Sequence, residues 1–426
     1  MTTVAFDVRA NHDTGVSRYG LSLLAAAAPF ALQAGWSLIA VAGPHQEARA
    51  QRAVADLCVP VLTCPGDEGF VRRSSWLRTQ LRAHDADLFY TSHYTVDREC
   101  PVPFVYTIHD LTRLRYPELS YTDTAFAARF GLPELHRVRQ ELAVLSPDGP
   151  PSPGPVFARY FRALNQDLAR RAQRIITVSR STAGDIKRYL GVSEARLDLV
   201  PCAVDAKVFF PRSAAHVQGV MASRGITGPY VVYAGLAHPN KRFEWLLEAL
   251  VASRASFPAG ARLVAAGGHA EKIARVQEIL RRSGAADFVV FTGRVDDTEL
   301  AALYSGAAAY VTAAISEGYG LPMAEALACG TRVVATDIPA LRETLGDAAH
   351  FYPAWDPARL AGLVHDALSG RLPRPSVTGT QSWEASGALL MKSLGRALDE
   401  ATRRASSQSS RGGHERAADQ ALRIRA

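Results

Sequence analysis

Short apolar runs alternate with amphipathic stretches along most of the chain. The runs are rich in valine, isoleucine and alanine, as strands buried on both faces of a sheet are. The stretches between them repeat apolar residues three and four positions apart, which is the period of an amphipathic helix. The predicted strands span residues 3–10, 37–43, 87–92, 103–108, 174–179, 229–236, 262–268, 287–293, 308–313 and 332–337, and the predicted helices span residues 18–32, 74–84, 157–172, 243–254 and 383–402. This alternation predicts parallel sheets covered by helices.

The alternation pauses near residues 203–215 and then begins again. A chain of 426 residues also exceeds one ordinary core and fits two domains of roughly 150–200 residues each. We therefore predict an α/β fold with two facing, doubly wound Rossmann-like domains, at residues 1–205 and 206–375, and a final helix at 376–400. Because ligands bind at the carboxyl ends of the strands in such sheets, the cleft between the domains is the expected site.

Two segments do not follow this pattern. Residues 143–156 hold five prolines and two glycines, which predicts a surface loop or lid. With the short helical excursion expected at 119–142, they form an irregular insert in the first domain. Residues 401–426 are rich in serine, glycine and arginine, and we predict that this basic tail is disordered.

The composition excludes several classes of protein. Hydrophobic residues make up 48% of the chain, enough to build sizeable cores, but no apolar window reaches the ~18 residues that a membrane-spanning helix needs. The first residues lack the features of a signal peptide. The five cysteines are scattered without metal-ligand spacing, which is typical of a reducing compartment. We therefore expect a cytoplasmic protein, not a disulfide scaffold or a zinc module.

The positive charge does not predict nucleic-acid binding. The formal net charge is +7, and the tail contributes +4 of it through six arginines and two acidic residues, so the body carries too small an excess. One basic helix and the residues before it carry four arginines: Arg72, Arg73, Arg78 and Arg82. Peripheral contact with an anionic membrane is one interpretation; a solvated face or a rim for an anionic acceptor is the other.

The most informative segment is 316-SEGYGLPMAEALACG-330. It follows a predicted strand and opens a helix, whose unpaired N-terminal amides favour phosphate. Glu317 lies ahead of that helix and Glu325 lies one turn inside it. Carboxylates repel phosphate but accept two hydrogen bonds from a vicinal diol, so the segment suits a diphosphate flanked by two polyols, as in a nucleotide-sugar. The alternative is an acidic first turn that complements the helix dipole.

A second segment, 235-GLAHPNKRFEWLLEAL-250, joins a strand end to an amphipathic helix. Its loop carries Lys241 and Arg242. A lysine between strand and helix at a cleft is a natural counter-charge for phosphate. A solvated loop lysine is the alternative.

Several spaced motifs between residues 230 and 350 resemble the donor domain of family-4 retaining glycosyltransferases of the GT-B fold, the group 1 glycosyltransferases that include mannosyl-, rhamnosyl- and glucosyltransferases. They occur in the family's order: Gly-x5-Lys at 235–241, Gly-Gly at 267–268, then 290-VFTGRVDDTELAALYSGAAAYV-311 and Glu-Gly-Tyr-Gly-Leu-Pro-x-x-Glu at 317–325. The resemblance implies two facing domains and a last helix that crosses back to the first domain.

The resemblance also implies roles for individual residues in the second domain. Glu317 would contact the donor sugar, Glu325 the ribose diol and Lys241 the leaving diphosphate. The remaining predicted donor contacts are backbone groups, around Arg294 and Val295 for the base and near Gly320 and Leu321 for the phosphates. Many members carry a further arginine, for which the matching positions here are Leu236 and Asn240. Arg242, on the far side of Lys241, is the candidate to replace it as a second phosphate clamp.

The first domain resembles the family more loosely. In 5-AFDVRANHDTGVSRYGLSLL-24, Gly15 would let the backbone approach the diphosphate. In 104-FVYTIHDLTRLRYPE-118, His109 would line the cleft opposite the donor sugar and act in catalysis with Glu317 and Lys241, next to Asp110 on the acceptor side. His93 is a further acceptor-side candidate. A core or helix-capping histidine is the alternative for His109.

One further motif suggests a metal. Asp85 and Asp87 form the Asp-x-Asp pattern of metal-dependent glycosyltransferases, but they fall at a helix-to-strand junction, where aspartate commonly stabilises turns. We therefore predict no metal site and no cofactor, with the nucleoside-diphosphate sugar as a co-substrate.

The predicted reaction moves a glycosyl group from a nucleotide-sugar to the hydroxyl of a sugar, lipid-linked or small-molecule acceptor, with retention and without a metal. The alanine- and arginine-rich composition suggests a GC-rich bacterial genome, and hence glycan or specialised-metabolite biosynthesis. Three alternatives remain: a sugar-phosphate synthase or phosphorylase, a non-catalytic nucleotide-sugar-binding protein, and a nicotinamide oxidoreductase. The last is disfavoured because Gly-x-Gly-x-x-Gly is missing.

Overall fold

A computed structural model gives the architecture of the chain. It describes residues 1–9, 15–66, 75–94, 96–146, 154–268, 273–375 and 381–424, with side chains except at residue 405 and residues 407–424. The strands are β1 (Thr3–Asp7), β2 (Ser37–Ala42), β3 (Val61–Thr63), β4 (Leu88–Thr91), β5 (Phe104–Ile108), β6 (Arg174–Thr177), β7 (Leu197–Leu199), β8 (Tyr230–Ala234), β9 (Arg262–Ala266), β10 (Val289–Gly293), β11 (Ala309–Val311), β12 (Val333–Thr336) and β13 (Ala349–Tyr352). The ten predicted strands are all present, and β3, β7 and β13 are additional.

The described strands form two parallel sheets with related topology. The first has the order β3-β2-β1-β4-β5-β6-β7 and the second β10-β9-β8-β11-β12-β13. In the first sheet Val4 pairs with Leu38 on one side and Leu88 on the other; in the second, Val231 pairs with Leu263. The strand order reverses beside β1 and beside β8, and such switch points open a crevice at the carboxyl ends of the strands. The prediction of two doubly wound domains is confirmed.

Helices cover both sheets. They are α1 (Gly15–Gln33), α2 (Glu47–Ala53), α3 (Ser75–Ala83), α4 (Thr112–Arg115), α5 (Asp123–Phe130), α6 (Leu132–Leu145), α7 (Val156–Arg171), α8 (Arg180–Leu190), α9 (Ala214–Ser223), α10 (Phe243–Ser253), α11 (Ala274–Ser283), α12 (Asp297–Gly306), α13 (Leu321–Ala328), α14 (Pro339–Leu345), α15 (Pro357–Leu368) and α16 (Trp383–Ile424). Among the described residues, no helix combines enough length with enough apolar character to cross a membrane.

The last helix packs against the first domain, as the resemblance implied. Leu390, Leu394 and Ala397 of α16 are fully buried in the core that α1 forms with the first sheet. Gly387 lies so close to α1 that a Cβ there would come 2.8 Å from backbone atoms of Ala26. Ser393 Oγ also donates a 2.6 Å hydrogen bond to Asp198. The second domain is therefore tied to the first by α16 as well as by the linker after β7.

The insert and the tail can be compared with the sequence prediction. The helical excursion expected at 119–142 corresponds to α5 and α6, and Phe126 and Val138 are completely buried in the first core. Half of the predicted lid, residues 147–153, lies outside the described residues. The backbone of residues 401–424 continues α16, where a disordered tail was expected. Alanine, arginine, glutamate and glutamine in this stretch are good helix formers.

The two domains meet across the cleft in a closed arrangement. Thr112 Oγ1 of the first domain lies 2.8 Å from Ser316 Oγ of the second. The carboxylate of Glu343 in α14 accepts hydrogen bonds from the backbone amides of Arg180 and Ser181 in α8, at 2.8 and 3.0 Å. Leu321 is buried in the core of the first domain. The segment around residue 316 is therefore enclosed between the domains.

Candidate active site

The predicted site residues lie on loops that leave the carboxyl ends of strands. Gly15, His93 and His109 come after β1, β4 and β5 of the first sheet, and Lys241, Arg294 and Glu317 come after β8, β10 and β11 of the second. In parallel sheets these ends lie on one edge, and here the two edges face each other. The topology thus brings residues that are 300 positions apart in the chain to one cleft.

Glu317 and Lys241 form an ion pair in this cleft. The Glu317 side chain is 8% exposed and that of Lys241 is 27% exposed. The loop that carries Lys241 is fixed to the loop of Glu317 because Asn240 Nδ2 donates a 3.0 Å hydrogen bond to the carbonyl of Ser316. The ammonium of Lys241 and the carboxylate of Glu317 therefore lie side by side in the cleft.

Glu325 lies one turn inside α13 and is only 2% exposed. Its carboxylate forms an ion pair with Arg18 of α1, in the opposite domain. Arg18 Nη2 also lies 2.5 Å from Oδ1 of Asp297, the first residue of α12. Burial raises the pKa of Glu325 to about 7, although the Arg18 guanidinium acts in the opposite direction. A buried carboxylate of this kind binds hydrogen-bond donors strongly once it is ionised.

The turn before α13 depends on two glycines. Gly320 adopts the left-handed region, with φ of 94°, and a Cβ there would come 2.5 Å from Leu341 Cδ2. A Cβ on Gly318 would overlap the carbonyl oxygen of His109. The first-turn amides of a helix, here those at Gly320 and Leu321, have no intrahelical partners. They are positioned to donate to an anion in the cleft.

His109 faces this turn from the first domain. Its Nε2 lies 2.8 Å from the carbonyl oxygen of Ser92, so Nε2 carries the proton and Nδ1 is the acceptor nitrogen of the neutral ring. Burial lowers the pKa of His109, against the opposing effects of the Ser92 hydrogen bond and of Asp110. The Tyr19 ring packs edge-on at 4.9 Å between centroids. The imidazole is thus held neutral and fixed in orientation.

The neighbouring acceptor-side candidates have structural contacts. Asp110 Oδ1 accepts a 2.9 Å hydrogen bond from the amide of Thr112 and so holds the start of α4. The His93 ring lies 3.7 Å from that of Tyr94, between centroids. The Tyr94 ring lies 5.2 Å from that of Phe161 in α7. Both candidates lie in the first domain beside the cleft.

Arg242 packs against two tryptophan rings. Its guanidinium carbon lies 4.5 Å from the centroid of the Trp245 ring and 3.0 Å from that of Trp355. The residue is 7% exposed, and no described residue accepts a hydrogen bond from Nη1 or Nη2. Its left-handed backbone, with φ of 51°, ends the turn after Lys241. A role of Arg242 as the second phosphate clamp stays a prediction.

The remaining donor-side candidates border the same cleft. Gly15 begins α1, and a Cβ there would meet no atom within 4 Å. Arg294 is exposed and Val295 half-buried, directly ahead of Asp296 and Asp297. Because Asp297 contacts Arg18 and Arg18 contacts Glu325, the positions predicted for the base and the ribose are neighbours.

The Asp-x-Asp pair lies at the other edge of the sheet. Asp87 Oδ2 accepts a 2.8 Å hydrogen bond from the amide of Thr3, at the start of β1. Asp85 has a left-handed φ of 46° in the turn before β4. Both aspartates therefore stabilise the turn at the amino ends of the strands, away from the cleft. Within the described part of the chain, histidine, cysteine and acidic side chains form no cluster of three or more that could hold a metal ion.

The predicted membrane-facing arginines are only partly described. Arg72 and Arg73 lie outside the described residues. Arg78 Nη1 is 3.1 Å from Asp97 Oδ1 and 2.9 Å from Glu99 Oε2, which neutralises its charge. Arg82 is exposed. Membrane contact through these residues stays a prediction.

Three site residues were not predicted from the sequence. Arg18 lies three positions after Gly15, and nothing local indicates that it contacts a carboxylate 307 residues later. Asp297 and Glu343 also make contacts between domains. Each looks like an ordinary residue at or near the first turn of a helix in the sequence, so only the arrangement of the domains identifies it.

Two family profiles match the chain. The profile described as Glycosyltransferase Family 4 matches residues 15–208. The profile described as Glycosyl transferases group 1 matches residues 228–369. The first match covers most of the first domain, and the second covers the sheet and helices that carry Lys241, Glu317 and Glu325.

Curated relatives match over shorter lengths. The MMP alpha-(1->4)-mannosyltransferase of Mycolicibacterium hassiacum is 30% identical over 212 residues, which cover 50% of this chain and 48% of that protein. The D-inositol 3-phosphate glycosyltransferase of Acidothermus cellulolyticus is 27% identical over 265 residues, 59% of this chain and 58% of that one. The chain thus spans about half the length of the curated relatives it matches.

Solved structures share the fold over nearly the whole chain. Sucrose-phosphate synthase from Thermosynechococcus elongatus superposes with a TM-score of 0.60 at 16% identity, covering 97% of this chain and 100% of that one. Anabaena HepE in complex with UDP-glucose gives a TM-score of 0.60 at 15% identity, covering 96% and 100%. The first domain therefore matches the Glycosyltransferase Family 4 profile and the second domain the Glycosyl transferases group 1 profile, and the solved structures show that the two domains share the GT-B fold.

Proposed function

We propose that the protein transfers a glycosyl group from a nucleoside-diphosphate sugar to an acceptor hydroxyl, with retention of anomeric configuration. One observation carries the proposal. Lys241 pairs with Glu317 just ahead of α13, and Glu325 one turn inside α13 pairs with Arg18 of the opposite domain, which supports one ligand with a diphosphate between two polyols at this domain boundary.

Each group has a role that suits its surroundings. The Leu321 amide and Lys241 would bind the diphosphate, on which charge develops as the bond to the sugar breaks. Glu317, paired with Lys241, would accept hydrogen bonds from hydroxyls of the donor sugar. Glu325 would accept hydrogen bonds from both hydroxyls of the ribose, which would compete with Arg18 for the carboxylate. Released from Glu325, Arg18 becomes a cation available to the diphosphate.

The chemistry of the sugar transfer would rely on the leaving group. His109 is neutral and fixed through Nε2, so Nδ1 can accept a hydrogen bond from a sugar hydroxyl and orient it. The acceptor attacks the face from which the diphosphate departs, and a phosphate oxygen takes the acceptor proton. The charge on the diphosphate is balanced by Lys241, Arg18 and backbone amides, with no metal ion required.

The names of the matched relatives support a proposal for the pathway and the acceptor. The matched relatives are named as mannosyltransferases and as glycosyltransferases of an inositol phosphate. We infer a bacterial role in glycan or specialised-metabolite biosynthesis, with a sugar, a lipid-linked sugar or a small molecule as the acceptor.

The first experiment screens UDP-, GDP- and dTDP-sugars by thermal shift, because a bound ligand stabilises the folded state. The donor found is then incubated with candidate acceptors in the presence of a chelator, and the anomeric configuration of the product is read by NMR. We expect transfer with retention in the chelator. Inversion, or a requirement for metal, would contradict the mechanism. Transfer from a sugar 1-phosphate instead would identify a phosphorylase, and nucleotide-sugar binding without transfer would identify a non-catalytic protein.

A further inference from the structure

Basic side chains converge beside the site from both domains. We call Arg113, Arg129 and His238 the acceptor-side cluster. Arg113 belongs to α4 and Arg129 to the last turn of α5, both in the first domain. His238 lies in the loop after β8 of the second domain, three residues before Lys241.

The two arginines are held by aromatic rings. The guanidinium carbon of Arg113 lies 4.8 Å from the ring centroid of Phe157, and that of Arg129 lies 5.6 Å from Tyr121 and 5.5 Å from Phe130. Within the described part of the chain, neither arginine has a carboxylate partner. Stacking fixes the flat face of a guanidinium and leaves its edge, with the N–H donors, available.

Contacts with Ser316 bring the segments of Arg113 and His238 together. Thr112 Oγ1, next to Arg113, lies 2.8 Å from Ser316 Oγ, and Asn240 Nδ2, two residues after His238, donates a 3.0 Å hydrogen bond to the Ser316 carbonyl. Burial, followed by the charges of Arg113, Lys241 and Arg129, lowers the pKa of His238 to about 4. The charge of Asp110 raises the pKa of His238, and Asp110 Oδ1 already accepts a hydrogen bond from the amide of Thr112. His238 is therefore neutral at pH 7, among groups of positive charge. Like charges placed together are costly, and a bound anion relieves that cost.

The position of the cluster assigns it to the acceptor. Arg113 follows Thr112, whose hydroxyl contacts Ser316, the residue before Glu317. Lys241 is already paired with Glu317 on the donor side, so the arginines lie just beyond the proposed sugar position, in the first domain. We propose that the acceptor carries an oxyanion, a phosphate or a carboxylate, which Arg113 and Arg129 bind while His238 donates or accepts a hydrogen bond. This inference rests on the proposed function and narrows its acceptor class.

The test uses the full chain, saturated with the nucleoside diphosphate that stabilises it most, so that the diphosphate position is filled. Calorimetry then compares mannose, mannose 6-phosphate and glucuronate as probes, which separates phosphate from carboxylate as the source of the charge. Arg113→Gln and Arg129→Gln are compared with Arg188→Gln, a control in which the arginine stacks on Tyr189 at 5.4 Å in α8, outside the cluster.

We expect an anionic probe to bind the wild type more tightly than mannose, and less tightly as salt is raised. Each cluster variant should weaken that binding roughly tenfold or more, as loss of a charged hydrogen bond does, while the control and the affinity for nucleoside diphosphate stay unchanged. If Arg113→Gln or Arg129→Gln no longer binds nucleoside diphosphate, the corresponding variant, Arg113→Lys or Arg129→Lys, is tested in its place. The inference is overturned if anionic probes bind no better than mannose, or if their binding survives both substitutions. Failure of every nucleoside diphosphate to bind would instead contradict the proposed function.

Discussion

Burial and ion pairing act on Glu325 in opposite directions. The carboxylate is almost completely buried and yet pairs with Arg18, and burial has the larger effect, since the pKa lies near 7. An acidic group whose folded pKa exceeds its usual value holds a proton that the unfolded chain releases. Its contribution to stability is therefore complete below about pH 4.5 and is lost as the pH rises through about 7.

The direction of this pH dependence can be tested on a single residue. We expect the wild type to lose stability relative to Glu325→Gln between pH 4.5 and pH 7.5, by on the order of 2–3 kcal/mol, because glutamine does not titrate. Denaturant unfolding of both proteins at the two pH values measures the difference. A relative gain in wild-type stability with rising pH would mean that the Arg18 ion pair outweighs burial.

The surroundings of Arg242 cannot be inferred from its position in the sequence. The sequence places a basic residue next to Lys241, where it looks suited to a second phosphate contact. Its direction is set by a left-handed φ and by Trp355, which lies more than a hundred positions later in the chain and is 63% exposed. Neither is visible in the local pattern, whereas the pairing of Glu317 with Lys241 follows from strand ends that share one edge.

At the scale of elements, the turn between β11 and α13 makes a close contact between the domains. Gly318 packs against the carbonyl of His109, and Gly320 needs a left-handed backbone. The turn that carries Glu317 is therefore in direct contact with the first domain.

The contact between Gly318 and the His109 carbonyl can be tested by substitution. Gly318→Ala would force the turn away from His109, so we expect turnover to fall at least tenfold, while free nucleoside diphosphate binds with nearly unchanged affinity. Steady-state kinetics and calorimetry measure the two effects. Gly184→Ala in α8, where a Cβ meets no atom within 4 Å, is the matched control and should retain activity. Equal turnover in both variants would mean that the close approach does not matter for catalysis.

The sequence predicts long apolar strands better than short mixed ones. β8, β9 and β12 are continuous apolar runs and could be identified directly. β3 and β7 have three residues each, and β13 contains His350, so their periodicity is too short or too polar to stand out. The sequence predicts α5 and α6 only as a short helical excursion, because local periodicity does not show that Phe126 and Val138 bury them in the core.

At the scale of the whole molecule, closure depends on contacts that belong to neither domain alone. Glu343 accepts hydrogen bonds from the first amides of α8, and a carboxylate at that position also interacts favourably with the helix dipole. The contact between Arg18 and Glu325 adds a second link. Both join residues far apart in the chain, so no local sequence pattern indicates them.

We expect Glu343→Gln to shift the protein toward an open form. Glutamine retains one acceptor oxygen but loses the charge, so the closed form should lose about 1 kcal/mol. Small-angle scattering should then report a larger radius of gyration than for the wild type. Glu384→Gln, an exposed position in the first turn of α16, serves as the control. An unchanged scattering profile for Glu343→Gln would mean that this contact does not hold the two domains closed.

Calorimetric titration of donor and free nucleoside diphosphate into wild type, Glu325→Ala and Glu317→Ala tests the central claim, that one cleft ligand spans both carboxylates. We predict that Glu325→Ala weakens both titrants by roughly tenfold or more, as loss of charged hydrogen bonds does. Glu317→Ala should lower turnover while leaving the affinity for free nucleoside diphosphate nearly unchanged. Donor binding equal to wild type in both variants would contradict the claim.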